Sequence, residues 1–489
     1  MSLTWVIFIP LVIFLVALLL VGRASPQKTG NDFLKSYFLG DRALKGFVLA
    51  MTLVATYGSV SSFVSGPGLA WQYGLGWVVF AAPQIITGFL VLGVLAKKLS
   101  LVSRRIKAIT IIDVIVDRFK SPALGAFLSV ALLFFFIAMM VGQFIGGAQL
   151  ISQAAGIPYV AGLLLFGVVV VAYTTTGGFK AVAITDTVCA ILMLVGMGLL
   201  ATAIISDAGG MASLLETIRQ RVDTEQSQAF FDPTSAGALP WTLLFSAWIL
   251  VGFATVALPQ SAVRCMAYKS TEDLHLAMIV STVVCGALMI GMTLLGFLAR
   301  GVIPQADAFG GNTDAMIPYL IAHHMNPWVA GMTLVAPIAA TMSTVSSLLI
   351  AASSAIIKDL LLRRYGAMPD KAESVRRYAK ICTLIIGLLA LILAIEPMDI
   401  IVWINMFAFG GLEIAFLCPL VGGLFWYRAT HQGAWSSVLI GLGVYFWACL
   451  TKPDLAGWHA VTPALVSSVI VFVTVSFLTK KEVNPDFFP

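Results

Sequence analysis

Small and hydroxyl-bearing residues crowd into one otherwise apolar stretch of the sequence, Ala340 to Ser347. In an α-helix, positions 340, 343 and 344 share a face, so the carbonyl oxygen of Ala340 and the hydroxyls of Ser343 and Thr344 can converge. A shell of neutral oxygens suits a hard cation. Ser and Thr also bond back to their own helix, so the stretch alone leaves both interpretations open.

A second stretch, residues 55–68, places Ser, Thr, Gly and Pro within an apolar run. These residues have low helix propensity, which predicts a break in the helix. Unwound backbone at membrane depth lines cavities and supplies carbonyl ligands for cations, whereas close helix packing is the alternative. Together, the two stretches favour a cation site built from both.

Two carboxylates lie within or beside apolar segments. Asp186 either borders an ion path or caps the start of a helix. Glu413 lies deeper, and either a pathway or substrate role or a structural hydrogen bond would account for it. The basic residues Arg264 and Lys269 are interpreted instead as anchors at the cytoplasmic surface.

Sequence motifs for enzymatic chemistry are missing. The five histidines form no HExxH motif, and the six cysteines form no CxxC pair. Neither GxGxxG nor GxxxxGK[ST] occurs, so a dinucleotide site and an ATP-driven motor are not expected. We therefore expect no enzyme and no cofactor other than a coupling ion.

The elements that must position these residues are membrane helices. Of 489 residues, 60% are hydrophobic and 11% are charged, and the mean hydropathy is +0.98. A soluble protein carries roughly 25% charged residues, so soluble enzymes and nucleic-acid binders are excluded. Because about 20 apolar residues cross a bilayer, uncharged stretches define the spans. Thirteen are predicted, at residues 5–22, 47–73, 77–96, 123–153, 159–177, 182–206, 240–260, 275–299, 327–357, 379–395, 399–426, 432–450 and 459–478.

The basic residues predict the orientation of these spans. Lys and Arg accumulate in cytoplasmic loops. An external amino terminus and a cytoplasmic carboxyl terminus place all but four of the 29 basic residues inside. The net charge of +6 therefore indicates topology rather than a nucleic-acid partner. The four exceptions are Arg219, Arg221, Arg300 and Lys452; the inside set includes Lys28, Arg364, Lys371 and Lys481.

Several sequence elements resemble the sodium:solute symporter family over nearly the whole chain. The YFLGDR element at 37–42 and Met342-Ser343-Thr344 are similar to family-wide elements. Gly66-Pro67-Gly68 and the FGGLE element at 409–413 are similar to those of its pantothenate-transporting branch. Further matches lie at residues 50–57, 61–63, 73–77, 143–148, 155–159 and 262–265.

The resemblance implies one polytopic transporter domain over residues 1–489, with an all-α, leucine-transporter-like core of two five-helix inverted repeats. The repeats would cover about 47–206 and 240–426, with peripheral helices at 5–22, 432–450 and 459–478. A multi-pass protein of the inner (cytoplasmic) membrane is implied.

For the site, the resemblance implies sodium held by Ala55, Gly58, Ala340, Ser343 and Thr344. It also favours a place for Asp186 at the inner end of the sodium path. The implied function is sodium-coupled uptake of pantothenate, with no obligatory protein partner. Another organic acid or amino acid, such as proline or a monocarboxylate, is the alternative solute, and a passive channel is a distant alternative. The hypothetical solute-binding residues are Tyr57, Ser61, Ser62, Gln143, Thr255 and Glu413.

Overall fold

The computed structural model describes residues 3–24, 33–221, 224–363, 372–396, 401–480 and 487. These residues form helices and connecting turns, with one isolated β-bridge between Leu44 and Tyr268. Lys28, Arg364, Lys371 and Lys481, used for the orientation, lie outside the described residues. The longer helical segments are Leu3–Ala24, Gly46–Tyr57, Ser61–Tyr73, Leu75–Arg105, Pro122–Ala155, Tyr159–Asp207, Trp241–Ala257, Thr271–Ala299, Pro327–Leu362, Ala372–Leu393, Ile401–Phe425, His431–Thr451 and Val461–Leu478.

Shorter helices lie between these segments. They are Phe33–Leu39, Ile111–Phe119, Met211–Arg221, Thr224–Phe231, Pro259–Cys265 and Met316–His324, with single 3₁₀ turns at Gly40–Arg42, Ala306–Phe309 and Thr313–Ala315. The helix Ile111–Phe119 begins with a capping box, in which the Thr110 hydroxyl accepts from the backbone N–H of Asp113 and the Asp113 carboxylate accepts from that of Thr110.

Within the described residues, nine helices are long and apolar enough to cross a membrane, and two bent pairs raise the number to eleven. Thirteen spans are therefore not confirmed. Two predicted spans, 159–177 and 182–206, lie in one helical segment, Tyr159–Asp207, of 49 residues. At 1.5 Å per residue it would be roughly 74 Å long if straight, over twice the thickness of a bilayer core. It is interrupted at Gly178, where φ is 64° and ψ is −172°.

The predicted break within residues 55–68 is present. The helix Gly46–Tyr57 ends because Gly58 adopts an extended conformation, with φ −65° and ψ 123°. The chain becomes helical again at Ser61, and the two halves are bent by 70°. Carbonyl groups at this break are freed from the regular helical hydrogen-bond pattern. We call Gly46–Tyr57 and Ser61–Tyr73 the first broken helix.

A second broken helix, Trp241–Ala257 followed by Pro259–Cys265, was not predicted; its halves are bent by 43°. Gly252 leaves the helical region, with φ −118° and ψ −88°. Leu258 is extended because the residue before a proline is pushed out of the α region, and Pro259 begins the next helix.

We call the segment Pro327–Leu362 the axial helix, because its membrane-crossing part is surrounded by other parts of the protein and fully buried. It packs most extensively against Tyr159–Asp207 and also contacts Leu3–Ala24, Pro122–Ala155 and Gly46–Tyr57. Its many Ala, Ser and Thr side chains allow these close approaches. The first broken helix thereby lies directly against the Ala340–Ser347 stretch.

Candidate ion and solute site

Five oxygens from the first broken helix and the axial helix come together, as predicted from the sequence. The Ser343 hydroxyl is 2.8 Å from the carbonyl oxygen of Ala55 and 3.0 Å from that of Ala340. The Thr344 hydroxyl is 2.9 Å from the carbonyl oxygens of both Gly58 and Ala340. All five residues are buried. We call this set the oxygen cluster; it offers only neutral oxygens, which is the chemistry that a sodium ion accepts.

A second polar set, the charged cluster, lies one helical turn away. The Asp186 carboxylate accepts hydrogen bonds from the Thr52 hydroxyl at 2.6 Å and from the Arg264 guanidinium at 3.2 Å. Arg264 also donates to the Ser347 hydroxyl at 2.6 Å and to the backbone carbonyl of Gln260 at 2.8 Å. The side chains of Asp186 and Arg264 are 0% and 2% exposed. The charged cluster is therefore a buried ion pair held between the broken helices and the axial helix.

The interpretation of Arg264 as a surface anchor is therefore wrong. Burying a lone charge is very costly, and Arg264 is tolerated because Asp186, 78 positions away, neutralises it. The alternative in which Asp186 caps a helix start is also wrong, since the helix resumes directly after Gly178 and Asp186 lies about two turns further on.

A cleft opens beside the first broken helix and contains three of the predicted solute-binding residues. Tyr57, Ser61 and Ser62 line it. The cleft has about 610 Å³ of space, including the part open to solvent. The Tyr57 hydroxyl donates to the carbonyl oxygen of Val251, so this ring joins the two broken helices.

The other three predicted residues are not among the described residues that line the cleft. Gln143 is buried and bonds to the backbone N–H of Val60 at 3.0 Å. The Thr255 hydroxyl donates to the carbonyl oxygen of Gly252 at 2.6 Å. Glu413 is 0% exposed, and neither carboxylate oxygen has a hydrogen-bond partner among the described residues.

Sequence reasoning missed two amides of the cleft wall, Asn405 and Gln84. Asn405 lies in the apolar helix Ile401–Phe416, where a polar residue is itself a signal of function. This criterion identified only the two carboxylates in the sequence, and not the two amides. The remaining wall is largely apolar, and Trp77 stacks on Phe80 with ring centres 4.2 Å apart.

Comparison with known proteins identifies the family. The model of the sodium:solute symporter family matches residues 37–441. The chain belongs to the sodium:solute symporter family. The sodium/pantothenate symporter of Haemophilus influenzae is 41% identical over 98% of this chain and 97% of its own. The sodium/pantothenate symporter of Escherichia coli K12 is 40% identical over 96% and 95%. These relatives are named as symporters, in agreement with the expectation of a transporter rather than an enzyme.

A solved structure of a Na⁺-coupled sialic acid symporter, in a substrate-bound outward-open state, has the same fold. Its TM-score is 0.80 at 22% identity, covering 97% of this chain and 98% of that one. The predicted fold class, an all-α membrane protein with a leucine-transporter-like core, is confirmed by this likeness. A symporter of this family couples a solute to sodium, so the chain is a multi-pass membrane transporter with Na⁺ as its coupling ion.

Proposed function

We propose that this chain imports pantothenate together with sodium by alternating access. The identity of 40–41% to two sodium/pantothenate symporters over nearly the whole chain carries this proposal. Pantothenate has a carboxylate, an amide and two hydroxyls, and the hydroxyl and amide side chains of the cleft wall offer matching donors and acceptors. Its aliphatic part would pack on the apolar remainder of the wall.

In this proposal sodium binds at the oxygen cluster. Both hydroxyls lie at hydrogen-bond distance from carbonyl oxygens of the other ligands, so the five oxygens already surround one region. When an ion binds, the two hydroxyls would rotate their hydrogens away from the carbonyl oxygens, so that hydroxyl lone pairs and carbonyl oxygens face the ion together. Because the ligands come from two helices, sodium would stabilise one arrangement of the first broken helix against the axial helix.

Asp186 lies on the proposed exit path of sodium. One of its carboxylate oxygens has no hydrogen-bond partner among the described residues and is available to a passing cation. A contact of 3.0 Å between the Thr56 and Ser347 hydroxyls continues the polar connection between the two clusters. The ion would move from neutral oxygens to a carboxylate before release.

For the solute, we propose direct contacts with Tyr57, Ser61 and Ser62. Gln143 and Thr255 support the break points of the two broken helices from behind. Glu413 lies on the helix that contributes Phe409 to the cleft, one turn beyond it. This position supports a role for Glu413 below the cleft floor, reached when the inner side opens.

The proposed repeats, 47–206 and 240–426, each begin with a broken helix, which supports their boundaries. We propose an external amino terminus and a cytoplasmic carboxyl terminus. A membrane-impermeant thiol reagent tests this: with Ala238→Cys we expect labelling in intact cells, and with Gln432→Cys only after permeabilisation. Labelling of Gln432→Cys in intact cells contradicts the orientation.

Reconstitution tests the transport proposal. Purified protein in liposomes should accumulate labelled pantothenate when sodium is higher outside, and a sodium ionophore should abolish the accumulation. Each sodium ion contributes about 2.3 kcal/mol per 100 mV of membrane potential, before its concentration gradient is added. Competition with proline, acetate and sugars tests the alternative solutes. A lack of sodium-dependent pantothenate uptake overturns the substrate, while a large conductance without saturation indicates a channel.

A further inference from the structure

A chain of hydrogen bonds runs from the backbone of the first broken helix to the wall of the cleft. The backbone N–H of Val60 donates to the side-chain oxygen of Gln143 at 3.0 Å. The amide nitrogen of Gln143 donates to the side-chain oxygen of Asn405 at 3.3 Å. The amide nitrogen of Asn405 donates to the hydroxyl oxygen of Ser61, which lines the cleft. We call these three side chains the amide relay.

The direction of the amide relay follows from its first bond. A backbone N–H can only donate, so the side chain of Gln143 must turn its oxygen to Val60 and its nitrogen to Asn405. Asn405 must then turn its oxygen to Gln143 and its nitrogen to Ser61. Gln143 is 0% exposed and Asn405 is 5% exposed. Flipping either amide would place a donor against a donor or an acceptor against an acceptor, where water cannot compensate.

Ser61 therefore accepts from Asn405, and its own proton is left to donate. Asn405 also has a second amide hydrogen beside the cleft. This corner consequently offers hydrogen-bond donors, while no Lys or Arg is among the described residues that line the cleft. Neutral donors with a fixed direction suit a group that only accepts, such as a carboxylate, and hydrogen bonds to a charged group are the strong ones.

We propose that Gln143 and Asn405 are positioning residues that hold Ser61 as a donor, so that this corner of the cleft recognises the carboxylate of the solute. The inference rests on the proposed function, because it takes pantothenate as the solute. It assigns specificity to a buried residue, Gln143, which acts through Asn405 and Ser61 rather than by touching the solute.

The test compares pantothenate with panthenol, in which a primary alcohol replaces the carboxylate. Uptake of labelled pantothenate and its inhibition by panthenol are measured in liposomes. We expect Ser61→Ala to lower the affinity for pantothenate about tenfold and the affinity for panthenol less than twofold. Only pantothenate loses a hydrogen bond to a charged group, its carboxylate. Thr293→Val is the matched control and should keep the ratio of the two affinities, because Thr293 also lines the cleft but its hydroxyl donates to the carbonyl oxygen of Met289 in its own helix.

Gln143→Met tests whether Gln143 acts on the solute through Asn405 and Ser61. We expect it to reduce the preference for pantothenate in the native chain and to have no further effect on that preference when combined with Ser61→Ala. A purely structural role for Gln143 predicts equal losses for both compounds and in both backgrounds. An unchanged ratio in Ser61→Ala overturns the amide relay, even if Gln143→Met fails to fold. No sodium-dependent pantothenate uptake by the native chain overturns the proposed function instead.

Discussion

The oxygen cluster and the charged cluster lie one helical turn apart along the first broken helix and the axial helix, yet they satisfy buried polar groups in opposite ways. Ala55 and Thr344 belong to the oxygen cluster, which contains no charge and can accept one. Thr52 and Ser347 belong to the charged cluster, where an ion pair already neutralises itself. In our proposal the first would bind a cation without displacing another, whereas the second would offer only the Asp186 oxygen that has no partner among the described residues. In the proposed path, sodium would bind at the oxygen cluster first and pass the charged cluster before its release.

Breaking the ion pair should have the largest effect. Arg264→Met leaves Asp186 buried without its counter-charge, and we expect a loss of about 3–5 kcal/mol in the free energy of unfolding. Thermal unfolding of the purified protein in detergent measures it. The double variant Asp186→Leu with Arg264→Met should recover most of the stability, because no charge is then left buried. Equal stability of Arg264→Met and the native chain would contradict the ion pair.

Removing one neutral partner of the charged cluster should have a smaller effect. Thr52→Val keeps the shape of the side chain and deletes the 2.6 Å hydrogen bond to Asp186, at a cost of about 1.5–3 kcal/mol. The same thermal assay applies. Thr174→Val is the matched control, because the buried Thr174 hydroxyl donates to the carbonyl oxygen of Val170 in its own helix and not to a carboxylate. Equal losses of stability in both variants would show that the hydrogen bond to Asp186 is not the cause.

The oxygen cluster should respond in ion affinity rather than in stability. We expect Ser343→Ala to raise the sodium concentration for half-maximal pantothenate uptake about tenfold, which corresponds to about 1.4 kcal/mol. Ser353→Ala is the control: it is equally buried in the same helical segment, and its hydroxyl donates to Ile350 of that segment. Unchanged sodium dependence in Ser343→Ala would remove this residue from the site.

The smallest effect is expected for Glu413, whose carboxylate has no hydrogen-bond partner among the described residues. An unpaired carboxyl group is cheapest to bury as the neutral acid, which a carboxamide closely matches in shape. Glu413→Gln should therefore change the free energy of unfolding by about 0.5 kcal/mol or less. Asp186→Asn, which leaves Arg264 unpaired, should cost clearly more. Equal losses in the thermal assay would show that Glu413 is ionised and that its partner has been overlooked.

Local sequence signals predicted much of the ion site. Gly58 and its polar neighbours predicted the first break, and helical periodicity placed Ala340, Ser343 and Thr344 on one face. These features depend on residues close together in the chain, where backbone propensity and period decide the outcome. The convergence of the two stretches, inferred by pairing them and from the family resemblance, is confirmed by the geometry. Their role as sodium ligands stays a prediction.

Features that depend on distant partners were harder to predict. Arg264 was assigned to the surface because its partner, Asp186, is remote in sequence. The role of Asn405 depends on its hydrogen bonds to Ser61 and Gln143, which lie on other helices. The second broken helix did carry a local signal, since Gly252 and Pro259, which disfavour a regular helix, both lie within the predicted span 240–260.

Gly178 has a consequence for biosynthesis. Only this residue, with its positive φ, interrupts 49 consecutive helical residues, so the two halves have no hydrophilic loop between them. A β-carbon here would press on the ring of Tyr37, and the left-handed backbone region would be strained by any side chain. We therefore expect the two halves to enter the bilayer as a pair, because no soluble loop separates them.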